Sequence, residues 1–217
     1  MNYWNSIYKK NKHLSQWPWS EVVSICNRFC KKKIENKSSK LLELGFGAGA
    51  NIPFFLSKPI KYYGVEGSKV IFSKVKKNYK KISKNLFNRD FRNNIFKNIK
   101  FDIVLDRASI THNDKKNILK ILEEVRNILH DDGFFIGIDW YSKNCSDFKK
   151  KDNDNYLFFR SGIFKNIGGV YFSSKRDILK FFKDFKILYL SEKKITVHQD
   201  KKKYKIASWT IVAQKSK

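Results

Sequence analysis

Acidic residues are the scarce class in this chain: 20 Asp and Glu stand against 46 Lys and Arg, a formal net charge of +26 over 217 residues. Such an excess favours polyanions, nucleotides or anionic lipid heads as partners. The lysines, however, are spread along the whole chain, and the runs "KKK" at 31–33 and 201–203 and "KKNYKK" at 76–81 read as solvated helix faces and hairpin tips. Cysteine is also scarce. Cys26, Cys30 and Cys145 are odd in number and form no two close pairs, which speaks against a disulfide framework and a thiolate metal site and favours a reducing, cytoplasmic setting. No cluster of His, Cys and acids has metal-ligand spacing, so no metal is expected. No apolar run approaches the length of a membrane span, and the opening "MNYWNSIYKKNKHLSQ" lacks the apolar core of a secretory signal, so neither a span nor export by that route is expected. With three prolines, no Pro/Gly/Ser-rich linker and no internal repeat, residues 1–217 read as one domain with one core.

What is present is an alternation of helix and strand periods. Val22, Val23, Ile25, Cys26, Phe29 and Cys30 fall at helical spacing behind Ser20, read as the cap. A strand at 40–44 follows, then a short helix around "NIPFFLS" capped by Asn51, the strand "KYYGVEG" and a helix from Ser68 to Lys80. A weak strand near 86–89, the strand "FDIVLD", a helix from Lys115 to His130, and the strand "GFFIGIDW", opened by a turn at "DDG", continue the series. Such an order predicts an α/β fold with a mostly parallel sheet. Residues 141–172 break the pattern and read as a lid inserted on the acceptor side. Beyond a helix from Ser174 to Phe182, "KILYLSEKKITVH" and "YKIASWTIVAQ", joined by the tip "QDKKK", predict an antiparallel hairpin.

The stretch most suggestive of a ligand is "LLELGFGAGA" at 41–50. An apolar strand here ends in an acid and runs into three alternating glycines, which let a backbone turn tightly against a bound molecule. Gly45, Gly47 and Ala50 satisfy the loose dinucleotide pattern, and Glu66 stands near the distance of a ribose-binding acid. Three features lead away from a nicotinamide cofactor: the form E-L-G-x-G-x-G, the helix before the first strand, and the closing antiparallel hairpin. A fourth is "NRDF" at 88–91.

Together, from about residue 20 to 214, these features resemble the class I S-adenosylmethionine-dependent methyltransferases. The resemblance implies a Rossmann-like sheet of seven strands, mostly parallel, with the last inserted antiparallel, and S-adenosylmethionine as cofactor with S-adenosylhomocysteine as product. By resemblance, Glu43, Gly45, Gly47 and Gly49 form the turn beside the amino-acid part of the cofactor and Glu66 takes both ribose hydroxyls. Asp90 accepts from the adenine amino group with Phe91 beside it, Asp106 faces the methionine portion, and residues 107–109 continue the wall. The usual "PGG" before the fifth strand is replaced here by "DDGFF".

A sulfonium methyl is already an electrophile, so the protein has chiefly to align the reactants and exclude water. His112, in the loop after "FDIVLD", is the candidate general base; equally, it is placed to cap the following helix. The segment 1–35 reads as a cover and first helix, with Trp17, Trp19 and Ser20 near the cofactor and Trp4 a staple to the core. Tyr141, Arg160 and His13 are candidate acceptor contacts, Arg160 reading an anion, and Tyr156, Phe158, Phe159, Phe164 and Tyr171 either line a pocket or form the insertion's own core. A looser resemblance, in "SQWPWS", "DRASITH" and "GGVYFS", is to small bacterial methyltransferases of surface-polysaccharide gene clusters. It implies a small-molecule acceptor, a nucleotide-linked sugar or phosphoramidate precursor of the capsule, methylated on oxygen. The alternatives are an RNA methyltransferase, favoured by charge and stacking aromatics, and a non-catalytic cofactor-binding subunit.

Overall fold

The computed structural model describes residues 2–93, 96, 98–149, 155–199 and 202–216. Residues 150–154 of the expected lid and 200–201 of the hairpin tip lie outside them. The elements are α1 (Asn2–Lys9), α2 (Ser20–Phe29), α3 (Lys31–Ile34), β1 (Lys40–Leu44), α4 (Ile52–Leu56), β2 (Lys61–Glu66), α5 (Lys69–Asn78) and β3 (Leu86–Asn88). There follow β4 (Phe101–Arg107), α6 (Lys115–Ile128), β5 (Leu129–Tyr141), β6 (Tyr156–Phe158), β7 (Gly169–Tyr171), α7 (Lys175–Phe181), β8 (Phe185–Gln199) and β9 (Lys202–Lys215).

Seven strands form one sheet in the order β3-β2-β1-β4-β5-β9-β8. β1 to β5 pair in parallel, whereas β9 lies antiparallel to both β5 and β8. β9, the last strand, is therefore inserted between its two neighbours, as the resemblance implied. β1 shows why the central strands read as unbroken apolar runs: Leu41 packs on one face with Val22, Ile25 and Ile71, and Leu42 on the other with Ile118, Leu122 and Val125. Both faces of the sheet are covered, which removes the polar half of the usual alternation. A parallel sheet of this kind carries its ligands at the carboxyl ends of its strands, beside the point where strand order reverses; here that point lies between β1 and β4.

Local chemistry differs from expectation at four places. Ser20 is the first residue of α2 rather than its cap, a position held by Trp19 without a side-chain bond. Asn51 does not cap α4; its side chain faces Glu43 instead. Asp114, not His112, caps α6, accepting from the Asn117 amide at 2.8 Å. "DDG" does not precede β5 but lies inside it, Asp132 adopting φ 65° next to a register shift against β4.

The 141–172 segment has a core of its own. Cys145, Phe164, Ile167, Val170 and Phe172 are buried with Ile7 of α1 and Ala207 of β9, and β6 and β7 form a two-stranded sheet. Apolar contact thus joins the insertion, the first helix and the last strand on one side of the cavity described next.

Candidate functional site

Above the carboxyl ends of β1, β2, β4 and β5 lies a cavity of about 700 Å³. One half is the glycine turn. Gly45 and Gly47 adopt φ values of 66° and 55°, a left-handed backbone that costs an L residue about 1–2 kcal/mol. A Cβ on Gly45 would lie 2.2 Å from the Ser109 hydroxyl oxygen. Both glycines line the cavity, whereas Gly49, expected beside them, does not. A Cβ at Gly49 would meet Ile52, Val75 and Tyr79; this glycine is a packing requirement under the turn.

Two buried acids flank the turn. Glu43 accepts from the Asn51 amide nitrogen at 2.7 Å and the Tyr62 hydroxyl at 2.6 Å. Burial nonetheless raises its carboxyl to about 7, against the opposing pull of those bonds and of Arg107. Such an acid, held in a low-dielectric site without a bonded cation, is suited to receive one. Glu66, also raised by burial, accepts the Gly47 and Ser68 backbone amides at 2.9 and 2.7 Å, one on each oxygen. A carboxylate has about four acceptor sites, so bonds to backbone amides leave capacity for a ribose hydroxyl. α1 closes over this end: Asn5 accepts from the Ser68 hydroxyl at 2.7 Å, and Trp4 and Tyr8 line the cavity. The Tyr8 hydroxyl is raised by burial and by the charge of Glu66.

Asp90 and Phe91 line the adjoining wall. The Asp90 carboxylate already accepts from Arg92 Nε at 2.9 Å. Although partial burial works against its charge, this partner holds its carboxyl below the usual range. An adenine amino group would share Asp90 with Arg92 rather than have it alone.

Asp106 corrects the expectation that it faces the cofactor. It is fully buried and absent from the cavity wall. Its Oδ1 accepts the Ser109 and Ile110 amides at 3.1 and 3.0 Å, and its Oδ2 the Trp140 indole N–H at 2.6 Å. Burial raises its carboxyl to about 7. The chain bends at Ala108, φ 54°, and Asp106 ties down that bend, leaving the wall to Arg107, Ala108 and Ser109.

The other half of the cavity is aromatic. His112 lines it together with Trp4, His13, Tyr141, Tyr156, Phe158 and Phe164, and its ring meets Trp4 edge-on at 5.1 Å. Its Nδ1 lies 3.1 Å from the Gly169 carbonyl oxygen. Since a carbonyl only accepts, the proton sits on Nδ1 and Nε2 keeps its lone pair. Burial, opposed by that bond, lowers the imidazole to about 4, so the ring is neutral at physiological pH. His13, also in this wall, is lowered by burial and by Lys12. Burial raises the Tyr141 hydroxyl to about 12. Phe159 and Tyr171 belong to packed cores instead.

Three expected contacts lie elsewhere. Arg160 is exposed and outside the cavity wall, because it follows β6 on the solvent side of the insertion. Ser20, as the first residue of α2, is likewise outside it, and Trp17 is 80% exposed. Trp19 does line the cavity, stacked against Arg107, which pairs with Asp139. The sequence offered no signal for Asp139, since nothing in "GIDWYS" marks one acid as turned inward.

The comparisons with known proteins agree with this fold. Residues 41–133, from β1 into β5, match the family model of a methyltransferase domain. Among solved structures, a SAM-dependent methyltransferase from Methanosarcina mazei is similar at 16% identity and a TM-score of 0.68, covering 87% of this chain and 97% of that one. One from Anabaena variabilis shows 18% identity and a TM-score of 0.68, with 99% and 92% covered. TehB from Haemophilus influenzae shows 14% identity and a TM-score of 0.65, with 98% and 67% covered. No curated protein matches the sequence significantly. At these identities the structural likeness is one of fold.

Residues 41–133 thus carry the pattern of a methyltransferase domain, set in a Rossmann-like sheet of seven strands. The domain match supports S-adenosylmethionine as the cofactor, and the residues present suit that molecule: a turn without Cβ atoms, a buried acid beside it held by backbone amides, and a second buried acid and a cation for a zwitterionic end. Among the described residues no helix is long and apolar enough to cross a membrane.

Proposed function

We propose that this chain transfers the methyl group to an oxygen of a small-molecule acceptor, with His112 as general base. The observation that carries the reading is the Nδ1 bond of His112 to Gly169, which leaves Nε2 unprotonated on a residue that lines the same cavity as the glycine turn. The cofactor supplies a methyl group on a sulfonium, so no further activation of the donor is needed. Glu43, Glu66 and the turn hold its two ends. The aromatic wall and α1 exclude water and hold the acceptor in line. At Nε2, His112 takes the acceptor's hydroxyl proton as the new bond forms.

Within this reading the acceptor is a nucleotide-linked sugar or a phosphoramidate precursor used to decorate capsule or surface polysaccharide, and the reaction is cytoplasmic. Two features support that choice: flat aromatic side chains suit stacking on a ring, and the +26 charge draws phosphates from solution.

The experiment offers methyl-labelled S-adenosylmethionine with two fractions, total RNA and a nucleotide and nucleotide-sugar extract. Label in the small-molecule fraction, lost in His112→Ala, is the expected result. Label in RNA instead would establish the nucleic-acid reading, and cofactor binding with no transfer to any acceptor would favour a non-catalytic subunit.

A further inference from the structure

Arg107 stands where the two halves of the cavity meet. Its guanidinium carbon lies 3.5 Å from the centroid of the Trp19 ring, and its Nη2 is 2.7 Å from Asp139 Oδ2. On the cofactor side it is near enough to Glu43 to oppose the rise of that carboxyl. Its Nε is buried and has no hydrogen-bond partner. A guanidinium presents Nε–H and one Nη–H as a fork matched to the two oxygens of a carboxylate. Here only one of the two is engaged, and a buried donor left unpaired is costly.

Asp139 is held for its own reasons. It adopts φ 57° where the register of β5 against β9 shifts between Gly137 and Trp140. Its Oδ1 accepts from the Ser208 hydroxyl at 3.2 Å, and both residues line the cavity. Asp139 therefore keeps a partner if Arg107 turns away, and its carboxylate stands in the same half of the cavity as Tyr141. The pair thus links a cation facing the amino-acid end of the cofactor site to an anion facing the acceptor.

We propose that Arg107 is an exchangeable clamp, paired with Asp139 when the amino-acid end of the site is free and with the α-carboxylate of the cofactor when it is filled, so that Asp139 is released to receive a hydroxyl of the acceptor. The proposal rests on the methyltransferase reading of the site. Glu43 and Arg107 then supply the two signs that a zwitterion needs, an acid for its ammonium and a fork for its carboxylate. Cofactor occupancy and acceptor recognition are coupled through one ion pair, and the cofactor binds first.

Titration calorimetry on the full chain tests this without an acceptor. Two ligands are compared: S-adenosylhomocysteine, and 5′-methylthioadenosine, which lacks the amino-acid end. Arg107→Met is expected to weaken the first by about tenfold or more, a charge-assisted fork being lost, and to leave the second within about twofold. Asp139→Asn, which removes the competitor for the fork, is expected to tighten S-adenosylhomocysteine binding and leave 5′-methylthioadenosine unchanged. Equal weakening of both ligands in Arg107→Met, no weakening of either, or weaker S-adenosylhomocysteine binding in Asp139→Asn would overturn the clamp alone. A wild-type chain that binds neither ligand would overturn the methyltransferase reading and the clamp with it.

Discussion

The carbonyl oxygen of Gly169 receives the Nδ1 proton of His112 at 3.1 Å, so a residue of β7 decides which nitrogen of a cavity-lining histidine 57 positions earlier in the chain keeps its lone pair. The contact is close because Gly169 has no side chain: a Cβ there would fall 2.1 Å from the ring of Tyr156, whose hydroxyl donates to the His112 carbonyl at 3.2 Å. Insertion and base are thereby built as one unit.

Replacing His112 by Ala is expected to lower the rate of methyl transfer by about 10²–10⁴-fold, the usual share of a general base, while S-adenosylhomocysteine affinity changes little. In the wild type the imidazole, lowered to about 4, stays unprotonated above that pH. The acid limb of kcat/KM for the acceptor, at saturating cofactor, should therefore lie near 4. A limb near 6.5 would mean that the ring is not buried during turnover.

Cofactor affinity should depend on pH through Glu43. Its carboxyl, raised to about 7, is largely protonated below that pH and must release a proton to meet the cofactor's ammonium. S-adenosylhomocysteine should bind more weakly as pH falls from 8 to 6, by up to tenfold per pH unit, with proton release detected by calorimetry in buffers of different ionisation enthalpy. Glu43→Gln should bind weakly and without that dependence. A flat profile in the wild type would place the ammonium elsewhere.

Gly45 and Gly49 should separate binding from packing. Gly45→Ala places a Cβ on the Ser109 side chain at φ 66°, and is expected to lose cofactor binding as well as about 1–2 kcal/mol or more of stability. Gly49→Ala, at φ 81° and crowding Ile52, Val75 and Tyr79, should lose stability of similar size yet bind S-adenosylhomocysteine like the wild type. Urea unfolding and calorimetry on the two variants make the comparison.

Trp140→Phe removes the indole donor to Asp106. The cost is expected to be about 1–3 kcal/mol, that of a buried group left without its partner, and to depend on pH. Asp106 titrates in the folded chain near 7, above its unfolded value of 3.8, so the cost of burying its charge grows as pH rises from about 4 to 7 and is complete above 7. The lost N–H chiefly serves the ionised form. Urea unfolding should thus show a larger difference between variant and wild type at pH 8 than at pH 5; equal differences would mean that Asp106 is never charged in the fold.

Much of the fold was legible because its cues are local. The apolar runs of β1, β2 and β4, the helical spacing of α2 and α6, and the glycine turn depend on neighbours within a few residues. The place of β9 between β5 and β8 came from resemblance, since a hairpin reading alone leaves open which of its strands meets β5. The candidate site was legible where a backbone turn makes it, at Gly45 and Gly47, and illegible where partners meet from afar. Asp106 and Arg107 are adjacent, yet the first turns to the amides of Ser109 and Ile110 and the indole of Trp140, and the second to the cavity. Strand alternation sends the two to opposite faces but does not say which face is wet.

The sequence by itself determined a mostly parallel sheet, a tight turn able to admit a cofactor, and a neighbouring histidine, because periodicity and turn stereochemistry act over short stretches of chain. Only the tertiary structure decided that Arg107 meets Asp139, through the pairing of Arg107 with Ile138 across β4 and β5, that Gly49 packs rather than binds, that Arg160 points away, and which nitrogen of His112 is free. Those outcomes depend on register and burial, and a charge or a proton settles only after every surrounding element has taken its place.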